Sequence, residues 1–163
     1  MNNNYAFIDG QNLHLSLNKF SYEFSYEKFM LFLKNDLHIA KAFYFIGFTE
    51  NRNHSRYKEL RSIGFILSLR KPAYRSVNGK MEIKANVDSN LITHALIKIN
   101  DYEKAILVTG DGDYYCLAKY LLRNNKLHRI LSPCKSDCSG LFKSNIFRNK
   151  ITYMSRMREI LQQ

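Results

Sequence analysis

Acidic residues are scarce in this chain. Asp and Glu number 14 against 25 Lys and Arg in 163 residues, a formal net charge of +11 with His neutral. So large a positive excess suits a polyanionic partner, either nucleic acid or an acidic membrane face. Long hydrophobic runs are missing too: no eighteen consecutive apolar residues occur, which excludes a membrane-spanning helix. Met1-Asn2-Asn3-Asn4 has neither a basic stretch nor a small-residue cleavage site before Tyr5-Ala6-Phe7-Ile8. No signal peptide is therefore expected, and cytoplasmic residence follows. Cysteine is limited to Cys116, Cys134 and Cys138, an odd number that does not suit a disulfide framework. Cys134 and Cys138, with His128 nearby, offer part of a zinc site but no convincing fourth ligand, so free thiols are expected. Internal repeats, low-complexity tracts and linkers are absent. The remainder is an ordinary globular composition, 45% hydrophobic and 24% charged. A chain of this length buries roughly two-thirds of its unfolded surface without a covalent or metal staple. One compact domain over residues 1–163 is the expected organisation.

Two hydrophobic periods alternate along the chain. Residues 5–8, 41–48, 65–69, 105–108 and 127–131 are short apolar or aromatic runs that predict strands, those at 5–8 and 65–69 buried. Residues 151–154 predict an edge strand before a final short helix. Helices are predicted over 11–19, 26–35 with Ser25 as cap, 53–63 stopped by Gly64, 86–99 and 112–124. The polar, basic stretch 70–84 contains Pro72 and Asn78-Gly79, the strongest short hairpin signal, and predicts a ribbon projecting from the sheet. Residues 132–150 read as a basic loop. Strands alternating with helices predict an α/β fold, an open and mostly parallel sheet covered on both faces. Such sheets bind ligands at the carboxyl ends of their strands.

Carboxylates gather at those ends. Asp9 follows the first strand in Phe7-Ile8-Asp9-Gly10-Gln11-Asn12, and Asp111 follows a later one in Val108-Thr109-Gly110-Asp111-Gly112-Asp113. In a parallel sheet both lie on one edge, with Asp113 at the start of the next helix. Asp88 precedes Leu91, Ile92, Ala95 and Ile99 at helical spacing, so it extends the sheet-facing stripe at a helix N-terminus. A carboxylate on a buried stripe is the informative anomaly. Any one of these residues alone serves as a helix cap or a turn residue. Four aimed at one pocket would raise one another's pKa unless a cation sat among them. An all-oxygen set suits Mg²⁺ or Mn²⁺, and in a basic protein it predicts metal-assisted cleavage of a phosphodiester.

Asp9-Gly10-Gln11-Asn12, Asn86-Val87-Asp88 and Thr109-Gly110-Asp111-Gly112-Asp113-Tyr114 resemble the three signature segments of NYN domains, PIN-like metal-dependent ribonucleases, of the LabA-like branch. The resemblance spans roughly residues 5–131. It implies a three-layer PIN-like, Rossmann-like sheet of strand order 3-2-1-4-5. It also implies a Mg²⁺ or Mn²⁺ site held by Asp9, Asp88, Asp111 and Asp113, with Asn12 holding Asp9 in place, and RNA products with 5′-phosphate and 3′-hydroxyl ends. Many NYN proteins carry a further acidic residue where this chain has His94. Imidazole is a poor ligand for Mg²⁺, so His94 reads either as a group near substrate or as ordinary packing.

Positive charge concentrates in two segments. The ribbon carries Arg70, Lys71, Arg75, Lys80 and Lys84, and residues 123–150 carry Arg123, Lys126, Arg129, Lys135, Lys143, Arg148 and Lys150. Phosphate contacts from such segments supply salt-dependent affinity, while Tyr74, Tyr114 and Tyr115 offer rings for unpaired bases, which favours single-stranded RNA. The leading expectation is a metal-dependent endoribonuclease. The alternative is a catalytically weakened RNA-binding or adaptor protein of the same fold. A phosphorylation receiver is disfavoured because no acceptor Asp follows the strands at 41–48 or 65–69. A dinucleotide site lacks its G-x-G-x-x-G. The resemblance also implies a homodimer as an option, with which an exposed set of aromatic strand residues is compatible.

Overall fold

The computed structural model describes residues 3–47, 54–70, 73–77, 80–84 and 87–163, with backbone alone at 54, 73–77 and 80–84. Its first half runs β1 (Asn4–Asp9), α1 (Gly10–Leu17), α2 (Tyr26–Asn35), β2 (Ile39–Gly47), α3 (His54–Ile63), β3 (Ile66–Arg70), β4 (Ala73–Val77) and β5 (Lys80–Lys84). The second half runs α4 (Val87–Ile97), β6 (Ala105–Val108), α5 (Tyr115–Arg123), β7 (Leu127–Ser132), β8 (Ile151–Tyr153) and α6 (Arg158–Leu161), with short 3₁₀ turns between.

β1 is buried at every position, as a strand covered on both faces must be, and its middle, Tyr5 to Ile8, is apolar accordingly. It pairs in parallel with β2 and β6. The remaining neighbours are also parallel, giving the order β3-β2-β1-β6-β7-β8. Set apart from the ribbon strands, this is the expected order 3-2-1-4-5 with β8 added at the far edge. Successive side chains of β1 enter opposite layers. Ala6 and Ile8 pack with Leu13, Phe29, Tyr44 and Leu60 beneath α1, α2, α3 and α6. Tyr5 and Phe7 pack with Phe43, Leu91, Leu107 and Leu121 beneath α4 and α5. Local signals set the ends of these helices. The Ser25 hydroxyl accepts from the Lys28 amide at 3.2 Å to cap α2, and Gly64 leaves α3 at φ +112°, a conformation that favours glycine.

The ribbon forms as its own two-stranded antiparallel sheet, β4 with β5. Its Asn78-Gly79 corner lies outside the described residues. Three expectations need correction. β3 is an edge strand rather than a buried one, with Ile66 43% exposed; the buried Phe65 sits just before it. The helix expected at 112–124 opens with a 3₁₀ turn, Gly112–Tyr114, before α5 begins. The loop expected at 132–150 is present, and it buries Phe142 and Phe147 completely. Phe43, Tyr44 and Phe45 of β2 are buried, so they offer no surface to a second copy. All three cysteines are free, with Cys134 and Cys138 buried. Among the described residues no helix is long and apolar enough to cross a membrane.

Candidate functional site

The carboxyl edge of the sheet is built from two turns tied to each other. Where β1 ends, the Asp9 carboxylate caps α1: Oδ1 accepts from the Asn12 amide at 3.0 Å, and Oδ2 accepts from the Thr109 hydroxyl at 3.3 Å. Where β6 ends, the Thr109 hydroxyl accepts from the Asp111 amide at 3.1 Å, and Asp111 Oδ1 accepts from the Asp113 amide at 3.0 Å. The Asn12 side-chain oxygen crosses between the turns and accepts from the Gly110 amide at 3.0 Å. Gly10 is required by space. A Cβ there would press into the Tyr44 ring and lie 2.7 Å from the Phe45 carbonyl oxygen. From the other face of the sheet, the fully buried Tyr114 donates its hydroxyl to Asp88 Oδ1 at 2.7 Å.

These turns bring Asp9, Asp88 and Asp111 into one cleft of about 190 Å³, lined also by Gln11, Asn12 and Leu15. Asp9 is 4% exposed. Burial, above all, pushes its carboxyl up to about 6; the Asn12 amide and the Thr109 hydroxyl pull it down, and the charges of Asp88 and Asp111 push it further up. The Tyr114 hydroxyl is held protonated by its own burial and by the same three carboxylates, so it keeps the proton that it donates to Asp88.

The donor set fits a hard divalent cation in kind: oxygens only, several negative, and one carboxyl raised first by burial and then by its neighbours. It is not a closed cage. Among the described residues no group of three or more His, Cys, Asp or Glu side chains is arranged to hold a metal ion. An ion here would be held by one or two carboxylates, with water and phosphate oxygens completing its shell, the usual mode for Mg²⁺.

The remaining expected site residues fare differently. Asp113 is exposed and does not line the cleft, because the turn capped by Asp111 directs it outward. Tyr114 offers no ring to a base; it is buried and its hydroxyl orients Asp88. His94 stands among aromatic rings, 4.6 Å from Phe43, 5.5 Å from Phe45 and 6.5 Å from Phe7 between centroids, and does not line the cleft. Burial, then Lys98, holds its imidazole below the usual value, so packing describes it best. Arg70 is exposed at the end of β3. Lys71 and Asn86 lie outside the described residues, as do the side chains of Tyr74, Arg75, Lys80 and Lys84. Of the second basic segment, Lys126 donates to the Tyr102 carbonyl at 2.7 Å and Arg129 to the Thr152 hydroxyl at 3.0 Å, both within the fold. Sequence reasoning passed over Thr109, which holds both Asp9 and the Asp111 amide. Its place in Thr109-Gly110-Asp111, directly after an apolar run, was the available signal.

Comparison with known proteins follows the same lines. The NYN domain model matches residues 5–143. The Low amplitude and bright protein LabA of Synechococcus elongatus is 23% identical over 128 residues, covering 75% of this chain and 68% of that protein. A protein of unknown function from Vibrio parahaemolyticus, solved by crystallography, has a TM-score of 0.68 at 22% identity over 86% of each chain. At that identity the likeness is one of fold.

Proposed function

The chain belongs to the NYN domain family, generally a nuclease fold, and from that premise we propose that it is a Mg²⁺- or Mn²⁺-dependent endoribonuclease acting on single-stranded RNA in the cytoplasm. The observation that carries this reading is the convergence of Asp9, Asp88 and Asp111 on one cleft at the carboxyl edge of the sheet. A divalent ion bound there supplies a water of lowered pKa and neutralises charge on the phosphate. The chain's own groups do the positioning. Asp9 and Asp111 present carboxylate oxygens from two turns that Asn12 ties together. Tyr114 turns Asp88 toward the cleft. Asp113 fixes Asp111 through its backbone amide.

End-labelled single-stranded RNA incubated with the purified protein should be cut in Mn²⁺ or Mg²⁺ and left intact in EDTA. Cleavage that persists in EDTA would remove the metal from the reaction. The openness of the carboxylate set favours a second reading, a non-catalytic RNA-binding or adaptor protein. RNA binding in EDTA with no cleavage under either metal would establish that one instead.

The ribbon supplies RNA affinity through charge. Reversing Arg75 and Lys80 to Glu should weaken RNA binding measured in EDTA, and should lower the slope of log affinity against log salt by about one for each phosphate left without its cation. An unchanged slope would move the RNA path elsewhere.

A further inference from the structure

A second cavity, of about 410 Å³, opens beside α1 among the residues of α2 and α3. Gln11, Asn12 and Leu15 of α1 turn toward the acidic cleft, whereas His14, Leu17 and Asn18 turn toward this cavity. The helical period sorts the two sets onto different flanks of one short helix, which partitions the two spaces. The acidic cleft suits an ion and a phosphate group. The second cavity falls within the range of small-molecule sites, roughly 300–1,000 Å³.

Its walls combine rings with one guanidinium, that of Arg56, and one carboxylate, that of Glu59. Phe24 and Tyr26 meet edge to face, with centroids 5.0 Å apart and planes at 88°. The Arg56 guanidinium lies 5.5 Å from the Tyr26 ring centroid, and its Nη2 donates to the Tyr26 hydroxyl at 2.6 Å. Arg56 is half-buried and forms no ion pair among the described residues, even though Glu59 stands one turn further along the same helix. A guanidinium without a carboxylate partner can grip a phosphate with two parallel bonds. Burial, then the Arg56 charge, holds the His14 imidazole below its usual value, so near neutral pH His14 offers a donor and an acceptor rather than a second cation.

We propose that this cavity is a nucleotide subsite, in which Arg56 takes the phosphate and the Phe24–Tyr26 wall takes the base of a nucleoside monophosphate unit. As the flanking nucleotide of a bound strand, that unit rests on the ribonuclease reading; a free mononucleotide presents the same chemistry. The cavity also reaches the acidic cleft through hydroxyls. The Tyr26 oxygen is 3.4 Å from that of Tyr44, which donates to the Gly10 carbonyl at 3.4 Å. A phosphate drawing Arg56 from Tyr26 therefore acts on a chain that ends beside Asp9.

The test uses the full chain in EDTA, with adenosine and uridine 5′-monophosphates as probes and a short single-stranded RNA as competitor. At least one nucleotide should bind saturably. Arg56→Gln, which keeps a donor for Tyr26, should weaken that binding by about tenfold or more. Arg56→Lys keeps the charge without the fork and should fall between; it carries the comparison if thermal melts show that Arg56→Gln does not fold. Asp111→Asn should bind nucleotide like the parent. Displacement by RNA assigns the subsite to the strand, and simultaneous binding assigns it to a free nucleotide; both support the proposal. No binding of either nucleotide, or equal binding by folded Arg56 variants, overturns it regardless of any cleavage result. Arg56-dependent nucleotide binding in a protein that cuts no RNA sinks the ribonuclease reading and leaves the subsite standing.

Discussion

Asp111→Asn is expected to abolish RNA cleavage while leaving the metal-free protein as stable as the parent, or more so. Asp111 has two tasks that the substitution separates. Its Oδ1 caps the Gly112–Tyr114 turn by accepting from the Asp113 amide, and Asn caps as well as Asp. Its charge faces Asp9 and Asp88 across the cleft. Each close pair of like charges costs on the order of 1 kcal/mol at an intermediate dielectric, so removing one charge relieves the folded state. The parent should gain melting temperature on adding Mg²⁺ or Mn²⁺, because only the folded chain assembles the cleft. The variant should lose most of that gain and keep its RNA binding in EDTA. A variant that cleaves like the parent would place the chemistry elsewhere. One that fails to fold would make Asp111 a structural cap.

The second large effect concerns acid. In the folded protein Asp9 is pushed up to about 6 from an unperturbed 3.8. A carboxyl raised by folding favours the native state fully below about pH 3.8, and that contribution is lost as pH rises through 6. The gap of about two pH units corresponds to about 3 kcal/mol. The metal-free protein should therefore lose about that much stability, from this one group, between pH 4 and pH 7. Asp9→Asn should remove this component of the slope and be more stable than the parent at pH 7. Urea unfolding midpoints in EDTA across that range measure it. Added Mn²⁺ should restore stability at pH 7 and lose its effect below about pH 6, where a proton competes for the same oxygens. A parent and variant with parallel pH profiles would show that Asp9 titrates as an ordinary carboxyl.

Much of this was legible in the sequence because it follows from period and order. The unbroken apolar run from Tyr5 to Ile8 marks a strand covered on both faces, hence the middle of a sheet. Ser25 before the spacing Phe29, Phe32, Leu33 marks the helix Tyr26–Asn35 to the residue. Once the strands are parallel, Asp9 and Asp111 must share an edge, and the stripe beginning at Asp88 points a third carboxylate toward the sheet. What escaped depends on direction and on neighbours. Two residues of separation say nothing about where Asp113 points; the cap made by Asp111 turns it out. Tyrosine serves equally as a stacking ring and as a buried donor, and only the packing of α4 against the Gly112–Tyr114 turn assigns Tyr114 to Asp88. Residues 65–69 are nearly as apolar as 5–8, yet β3 has a partner on one side only, a property of the whole sheet rather than of that segment.

The absence of a side chain at Gly10 has a consequence for how the cleft meets its ligands. The peptide after Asp9 lies flush against the Tyr44 ring and the Phe45 backbone, and Tyr44 is itself fully buried. Asp9 is thereby immobilised by contacts that form when the sheet forms, before any ligand arrives. The loss of its conformational entropy belongs to folding, and association has little left to order at that oxygen pair. A cation or phosphate reaching the cleft meets a carboxylate whose position is already chosen, so its exchange should be governed by dehydration of the incoming group rather than by rearrangement of the protein.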